Sequence, residues 1–469
     1  MSPYGSESDL TGAATLTSCP TSFIPKAVRG SLFFFLDDPG TDNDPVSSYR
    51  YYEDGILILT DDGHIADIGS ATDMQSRYGL THRDIIDHSG KLIVPGFIDT
   101  HTHYPQSEII AAYGHQLIEW LEKYAFPAEA EFIDKHYART ISRFFLSELL
   151  RNGTTTALIF GSVHKVSAEA LFEEAEKLNM RIIGGKIMMD RNAPQYLLDT
   201  PETAYSDSKA LIETWHNKRG RIRYAVTPRF AATSSNEQLQ AAQRLYHAYD
   251  DVYLQTHVSE NQHEIAWVKQ LFPSSKSYLN VYNDFGLVGP RSIFAHSIHL
   301  TDDEFKLLAD KSAAIAFCPT SNLFLGSGLF NFNHACLANV RLTLGTDIGA
   351  GTSFSMLKTM AEAYKVIQLQ NNSALASKKK TALTPFKALY MTTLGAARAL
   401  FLEDKIGTLQ PGKEGDFIVL NPDATPLLSF RMKKTPSLAD RLFAFMMLAD
   451  DRAIDAVYLM GKRWQNNSV

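Results

Sequence analysis

Hydrophobic and polar positions change their rhythm twice along the chain. Between Arg29 and Lys91 apolar residues come in short alternating runs broken by turn residues. GILILTDDGHIADIG places such runs on both sides of Asp61, Asp62 and Gly63, which predicts a β-hairpin. The polar insertion DDPGTDNDPVSS before it predicts a surface loop. From Ile93 onward short apolar runs are each followed by a helical pattern: TTTALIF by SAEALFEEAEKLN, IRYAVTP by NEQLQAAQRLYHAYD, SIFAHSIHL by DDEFKLLADK. Within LFEEAEKL the apolar residues fall three or four apart, as on one face of a helix. Strands alternating with helices predict parallel βαβ units. About eight fit between Ile93 and Leu400, the number of a (β/α)8 TIM-like barrel. Past Phe401 the strand pattern returns in KIGTLQPGKEGDFIVLNPD and AIDAVYLMGKRW. The expected fold is α/β: a barrel over 93–401 and a small β-sandwich domain built from both chain ends, 1–92 and 402–469.

Composition narrows the partners. The chain has 469 residues, more than one simple core usually holds, which fits a large domain plus a smaller one. A net charge of −7 gives no basic surplus for a phosphate backbone, so no nucleic-acid partner is expected. A single nucleobase stays open, because a pocket and not a charged surface recognises it. LFFFL is too short to span a membrane, and none is expected as a partner. The N-terminal MSPYGSESDLTGAATLTSCP lacks a basic stretch followed by an apolar core and does not read as a secretory signal. Cys19, Cys318 and Cys336, with no CxxC, argue against a disulfide framework or a thiolate zinc site. The expected compartment is the reducing cytoplasm, where the N-x-[ST] matches at Asn152, Asn371 and Asn466 are chance. The SKKKT patch reads as a solvated helix end or loop.

In a parallel barrel the chemistry sits where strands end. His101 and His103 follow LIVPGFID, spaced i, i+2 so that both face one side of a strand. An isolated HxH is as readily two polar residues in a crowded core. Here, however, His257 follows VYLQT, His296 follows SIFA and Asp347 follows VRLTLGT. Four imidazoles and a carboxylate at one rim point to a metal, and neutral imidazoles with a carboxylate suit zinc better than calcium or magnesium. Glu260, three residues past His257 in HVSE, is placed to move protons at a metal-activated water; the competing reading is an exposed carboxylate starting the next helix.

The order HTH, HVSE, AHSIHL and GTD, enclosed by strand-rich ends, resembles the amidohydrolase superfamily. PGFIDTHTHYPQ, IEWLEKYAFPAEAEF, NGTTTA, VTPRFAATSS, THVSENQHEI, CPTSNLFLGSG, LGTDIGAG and GTLQPGKEGDFIVLNP are similar to segments of its guanine deaminase branch, over nearly the whole chain. That resemblance implies one Zn2+ per chain held by His101, His103, His257 and Asp347, Glu260 as proton shuttle, and His296 beside the metal water. It implies purine contacts by Gln106, Arg229 and Phe230, hydrolysis of guanine to xanthine and ammonia, and a homodimer. Thr102, Tyr104 and the Asp38–Asp44 loop depart from the family pattern and leave the pocket wall less defined. Binuclear members of the superfamily bridge their metals with a carboxylated lysine, and Lys186 in GGKIMM is the lysine centred in an apolar strand. The HxxE spacing belongs with the mononuclear deaminases, so Lys186 reads as a strand-end lysine with a carboxylate partner.

Residue chemistry points the same way. If purine C2 faces the metal, the far edge of guanine offers two acceptors, O6 and N7, and the parallel donors of Arg229 match them. The Gln106 amide can both donate and accept. Phe230 can stack on the ring, as can Trp120, whose other reading is core packing. The rival readings are a mononuclear deaminase or chlorohydrolase acting on an adenosine derivative, a pterin or a triazine, and a catalytically silent binding protein, which would be expected to have lost ligands.

Overall fold

The computed structural model describes residues 27–41, 45–114, 116–372 and 380–465. The polar N-terminal segment with Cys19, most of the SKKKT patch and the Asn466 match lie outside the described residues.

Strands β1 (Ala27–Phe35), β2 (Tyr49–Leu59), β3 (Ile65–Ser70) and β4 (Ile85–Pro95) open the chain. Strands β5 (Phe97–His103), β6 (Thr154–Phe160), β7 (Arg181–Gly185), the short β8 (Ile187–Met188), β9 (Ile222–Pro228), β10 (Tyr253–Val258), β11 (Ser292–His296), β12 (Ala314–Phe317) and β13 (Arg341–Leu344) follow. The chain closes with β14 (Phe417–Leu420), β15 (Ile454–Leu459) and β16 (Lys462–Arg463). The two ends meet in one seven-stranded mixed sheet, ordered β16-β15-β14-β4-β1-β2-β3. The hairpin around Asp61–Gly63 is present as the antiparallel β2–β3 pair. Two helices, Pro426–Met432 and Leu438–Leu448, interrupt the strand-rich C-terminal segment, an addition that the strand pattern does not announce.

The middle of the chain forms the parallel barrel, ordered β5-β6-β7-β9-β10-β11-β12-β13, with β8 beside β9. The strand-forming runs TTTALIF, IRYAVTP, SIFAH and AIAF are buried along nearly their whole length, as strands sandwiched between a barrel interior and covering helices must be. The ring comes nearly to closure between β13 and β5. There the Thr100 hydroxyl donates to the Leu344 carbonyl (3.0 Å), the Asp347 N–H to the His101 carbonyl (2.9 Å) and the His103 N–H to the Ile348 carbonyl (2.7 Å).

The apolar run LIVPGFID is not one strand. It divides at Gly96, giving its first half to the end sheet and its second to the barrel. A Cβ at Gly96 would lie 2.0 Å from Thr155 Oγ1, so only glycine lets the chain pass from sheet to barrel against β6. A buried charge cluster also fastens the two. Arg221 pairs with Asp416 (2.8 Å) and with Glu414, which also receives Arg181 Nε (3.1 Å). Asn152 is buried with its amide on the Glu148 carbonyl, as a chance N-x-T match would be. Among the described residues no helix is long and apolar enough to cross a membrane.

Candidate active site

The strand ends carry the predicted residues to one place. His101 and His103 finish β5, His257 is the next-to-last residue of β10, His296 ends β11, and Asp347 follows β13 after Gly345 and Thr346. Two of these positions are held in left-handed backbone, His296 at φ 66° and Asp347 at φ 53°. That conformation costs energy for a residue with a Cβ, and such cost collects where a side chain must be aimed. Asp99, fully buried, helps to aim the first pair: it accepts the N–H groups of His101 (3.2 Å) and Thr346 (3.0 Å) and the Thr346 hydroxyl, tying β5 to the segment that bears Asp347. Burial raises its carboxyl to about 7, against these hydrogen bonds.

Four donor atoms converge. His103 Nε2 lies 3.3 Å from His101 Nε2 and 3.2 Å from His257 Nε2, and Asp347 Oδ1 lies 3.2 Å from His101 Nε2 and 3.5 Å from His103 Nε2. His257 Nδ1 is 2.7 Å from the Arg229 carbonyl, which can only accept, so Nδ1 carries the hydrogen and Nε2 presents a lone pair. Burial and the neighbouring imidazoles push His103 and His257 well below their ordinary range, and burial lowers His101 as well. Neutral imidazoles are what a metal requires of its ligands. Asp347 is the charged member: burial opposes its ionisation, but His101 and His296 outweigh it and hold the carboxylate at about 2. Lone pairs packed this closely repel unless a cation sits among them. Ligands about 2.0–2.1 Å from a tetrahedral centre stand about 3.3–3.4 Å apart, so the spacing fits zinc. Cys318 lies beside His296 and Asp347, but burial raises its thiol well above the ordinary range, and it donates to the Ala316 carbonyl (3.4 Å).

Glu260 and His296 adjoin this cluster. His296 Nε2 stands 3.4 Å from Glu260 Oε2 and 3.8 Å from Asp347 Oδ2, and its Nδ1 is 2.9 Å from Asn322 Oδ1. Burial works against charge on His296, yet the two carboxylates and Asn322 more than offset it and raise its pKa. Burial lifts Glu260 to about 7, with Glu264 and Asp347 adding to the rise and His296 opposing it. Glu260 is not an exposed helix-start carboxylate. It is 3% exposed and accepts from the Ser327 hydroxyl (3.2 Å), while Asn261 and Glu264 form the capping box of the helix Gln262–Leu271. Glu264 also accepts the Glu260 N–H (3.0 Å) and the Tyr278 hydroxyl (2.6 Å), which fixes the backbone that carries Glu260.

The cluster opens into a cavity of about 420 Å³, its mouth included, within the range of small-molecule sites. His103, His257, His296, Glu260 and Asp347 form its floor side, Leu117, Trp120, Leu121 and Phe230 its apolar wall, and Gln106 and Arg229 its polar edge. Trp120 packs with Leu121 and Phe160 in the core and also lines the cavity. Arg229 is not a free guanidinium. Its Nη1 donates to Glu129 (2.6 Å), and its Cζ lies over the Phe126 ring, 5.4 Å from the ring centre. Gln106 is engaged at both ends, donating to Glu129 (2.9 Å) and accepting the Gly349 N–H (3.1 Å). Lys186 is buried and paired with Asp199 (2.6 Å), a carboxylate partner as read from its strand-end position, and it does not line the cavity.

The structure thus brings all the predicted site residues to one cavity and the His/Asp cluster beside it. Sequence reasoning missed Asp99, Glu129, Glu264, Asn322 and Ser327. Glu264 carried a signal, since an acid three residues past Asn261 completes a capping box. Glu129 carried a weaker one, a carboxylate within the apolar helical stretch FPAEAEF.

Comparison with known proteins shows the family. Residues 92–464 match the model of the amidohydrolase family. The chain is 52% identical to the guanine deaminase of Escherichia coli (strain K12) over 440 residues, covering 93% of this chain and 97% of that protein. The solved structure of the E. coli guanine deaminase superposes with a TM-score of 0.89 at 50% identity, covering 94% of this chain and all of that one. A guanine deaminase from C. acetobutylicum, solved with guanine bound in its active site, superposes with a TM-score of 0.83 at 31% identity, over 93% of this chain and 99% of that one. An adenosine deaminase from Xanthomonas campestris with bound zinc, 21% identical with a TM-score of 0.77 over 93% of this chain and 92% of that one, shares the fold.

Proposed function

Given that the chain belongs to the amidohydrolase family, and within it to the guanine deaminases, we propose that it hydrolyses guanine to xanthine and ammonia with one Zn2+ per chain on His101, His103, His257 and Asp347. The observation that carries this reading is the set of 3.2–3.5 Å contacts among those donors, with Glu260, His296 and Arg229 facing the same cavity. The ion would supply Lewis acidity, making hydroxide available near neutral pH.

The protein's own groups do the rest. Arg229 donates to O6 and N7 of guanine, Phe230 and Trp120 enclose the ring, and Gln106 uses its remaining hydrogen-bonding capacity on the ring edge. Purine C2 then faces the metal cluster. Glu260 takes a proton from the attacking water and passes it to N3 as the C2=N3 double bond opens, then carries the remaining hydroxyl proton to the exocyclic amine, which leaves as ammonia when the tetrahedral C2 collapses to the carbonyl of xanthine. His296, fixed through Asn322, orients the attacking oxygen and steadies its charge. Adenine would put its amine on C6, away from the cluster, and a donor where Arg229 needs an acceptor.

Purified protein assayed for ammonia and xanthine from guanine, with zinc quantified on the same sample, tests the proposal. About one zinc per chain and equimolar products are expected. Zinc-loaded, folded protein that releases no ammonia from guanine sinks it, and a stoichiometry near two would reopen the role of Lys186.

A further inference from the structure

Glu129 has no atom in the cavity lining, yet both residues of the polar edge hang on it. Its side chain is fully buried, with Oε2 accepting from Arg229 Nη1 at 2.6 Å and Oε1 accepting from Gln106 Nε2 at 2.9 Å. Its backbone is pinned as well, the carbonyl taking the Ser162 hydroxyl at 2.8 Å. The chain is continuous beyond Gln106, whose Oε1 accepts the Gly349 N–H at 3.1 Å. A Cβ at Gly349 would sit 2.4 Å from the Gln106 carbonyl, so glycine is what lets that N–H approach.

Donor and acceptor order along Arg229–Glu129–Gln106–Gly349 is therefore determined. A carboxylate only accepts, so it takes a hydrogen from each neighbour. That fixes the Gln106 amide with its nitrogen toward Glu129 and its oxygen toward Gly349. It also spends one edge of the guanidinium on Glu129 and leaves the others for the cavity. We propose that Glu129 is a specificity-determining positioning residue, a single buried carboxylate that sets the direction of both Arg229 and Gln106 and so makes the site select a purine bearing a 6-oxo group. The proposal rests on guanine being the substrate.

Glu129→Gln keeps the size and breaks the order. One end of the new amide accepts and the other donates. If the oxygen serves Arg229, the amide nitrogen meets the Gln106 nitrogen, donor against donor. Rotating Gln106 only moves the conflict to Gly349 N–H. A structural role alone would loosen the site for every ligand, whereas a directional role acts mainly on ligands with the 6-oxo acceptor. The two are separated by 2-aminopurine, which keeps the ring and the 2-amino group but lacks O6.

The test measures kcat and KM for guanine and the competitive inhibition constant of 2-aminopurine, on native protein, Glu129→Gln and Glu129→Asp, each with zinc content and Tm. The Asp variant keeps the charge on a shorter stem that cannot reach both partners, and serves if the Gln variant does not fold. For either variant KM for guanine should rise roughly tenfold to a hundredfold, the worth of a charge-assisted hydrogen bond. Zinc should be unchanged, kcat should fall by much less, and the 2-aminopurine constant should rise less than KM. Equal losses for both ligands, a loss confined to kcat, or native behaviour would overturn the inference. Native protein inactive on guanine would instead overturn the reading beneath it.

Discussion

Replacing Glu260 with glutamine separates metal binding from proton transfer. The side chain is buried, so an isosteric change is required to avoid opening a void. The glutamine oxygen can still accept from the Ser327 hydroxyl, 3.2 Å away in the native protein. Its nitrogen takes the place of Oε2, 3.4 Å from His296 Nε2. With the Glu260 charge gone, His296 loses the largest influence that raises its pKa, and as a neutral ring with its Nδ1–H on Asn322 Oδ1 (2.9 Å) it can accept from the amide there. The fold should therefore tolerate the change, and the metal cluster, whose closest contacts do not involve Glu260, should stay loaded. What is lost is the group proposed to take and return the proton. A general acid–base group contributes about 10²–10⁴ in rate, which is about 2.7–5.4 kcal/mol of barrier. Stability should move the other way. The folded-state pKa of Glu260, about 7, lies above its ordinary 4.5, so its contribution is fully present below pH 4.5 and is lost as pH rises through 7. Metal-stripped Glu260→Gln should therefore unfold at a higher temperature than metal-stripped native protein at pH 8, with the gap closing toward pH 4.5. The assay is single-turnover ammonia release at saturating guanine, with zinc measured on the same protein and thermal unfolding followed after chelation. Turnover within a few-fold of native at full zinc would refute the proton-shuttle argument.

His257→Ala removes one donor of the cluster and the hydrogen bond to the Arg229 carbonyl, so zinc per chain and activity should both collapse; full occupancy by elemental analysis would contradict the ligand set. Arg229→Ala should lower kcat/KM for guanine roughly tenfold to a hundredfold. It should also lower stability by about 3–5 kcal/mol, because it strands the Glu129 carboxylate 2.6 Å away without its cation; calorimetry showing an unchanged Tm would mean that the pair is not formed. Asp251 precedes β10, at the other end of the strand from His257: burial opposes its ionisation, but Asn217, His216 and Arg223 hold it at about 2. Its pKa is depressed, so its stabilising effect is present above about pH 3.8 and is lost as pH falls through 2. The Tm gap between native and Asp251→Asn should narrow between pH 5 and pH 2, and a constant gap would exclude the charge as its source.

The sequence shows the barrel clearly because its strands are buried on both faces and read as unbroken apolar runs. TTTALIF and IRYAVTP give strands within a residue or so of their observed ends. The boundary between the end sheet and the barrel is hidden for the same reason. LIVPGFID is apolar throughout, and only the crowding of Gly96 against Thr155 marks where it changes sheets. The two C-terminal helices were hidden by proximity to strong strand signals on either side of them. Helix Leu438–Leu448 is apolar over much of its length, and periodicity separates a short buried helix from a strand poorly.

Within the site, what could be read was what ends a strand. His101, His103, His257, His296 and Asp347 each close an apolar run, and a parallel barrel converts that position into a shared rim. The residues that aim them could not be read this way, because they come from segments with no fixed relation to the rim. Glu129 lies on a short helix after β5, Asn322 and Ser327 lie past β12, and Asp99 sits inside a strand as an acid among apolar neighbours. Their roles depend on hydrogen bonds spanning 23 to 247 residues of sequence. Arg229 shows why these supports cannot be treated as scaffolding apart from the chemistry. Its carbonyl holds His257 Nδ1 and so turns Nε2 toward the other donors of the cluster, while its side chain, held by Glu129, faces the cavity. A shift of that one residue would displace a proposed metal ligand and a proposed substrate contact together. The His/Asp cluster and the polar edge of the cavity are thus one mechanical unit, joined at the end of β9.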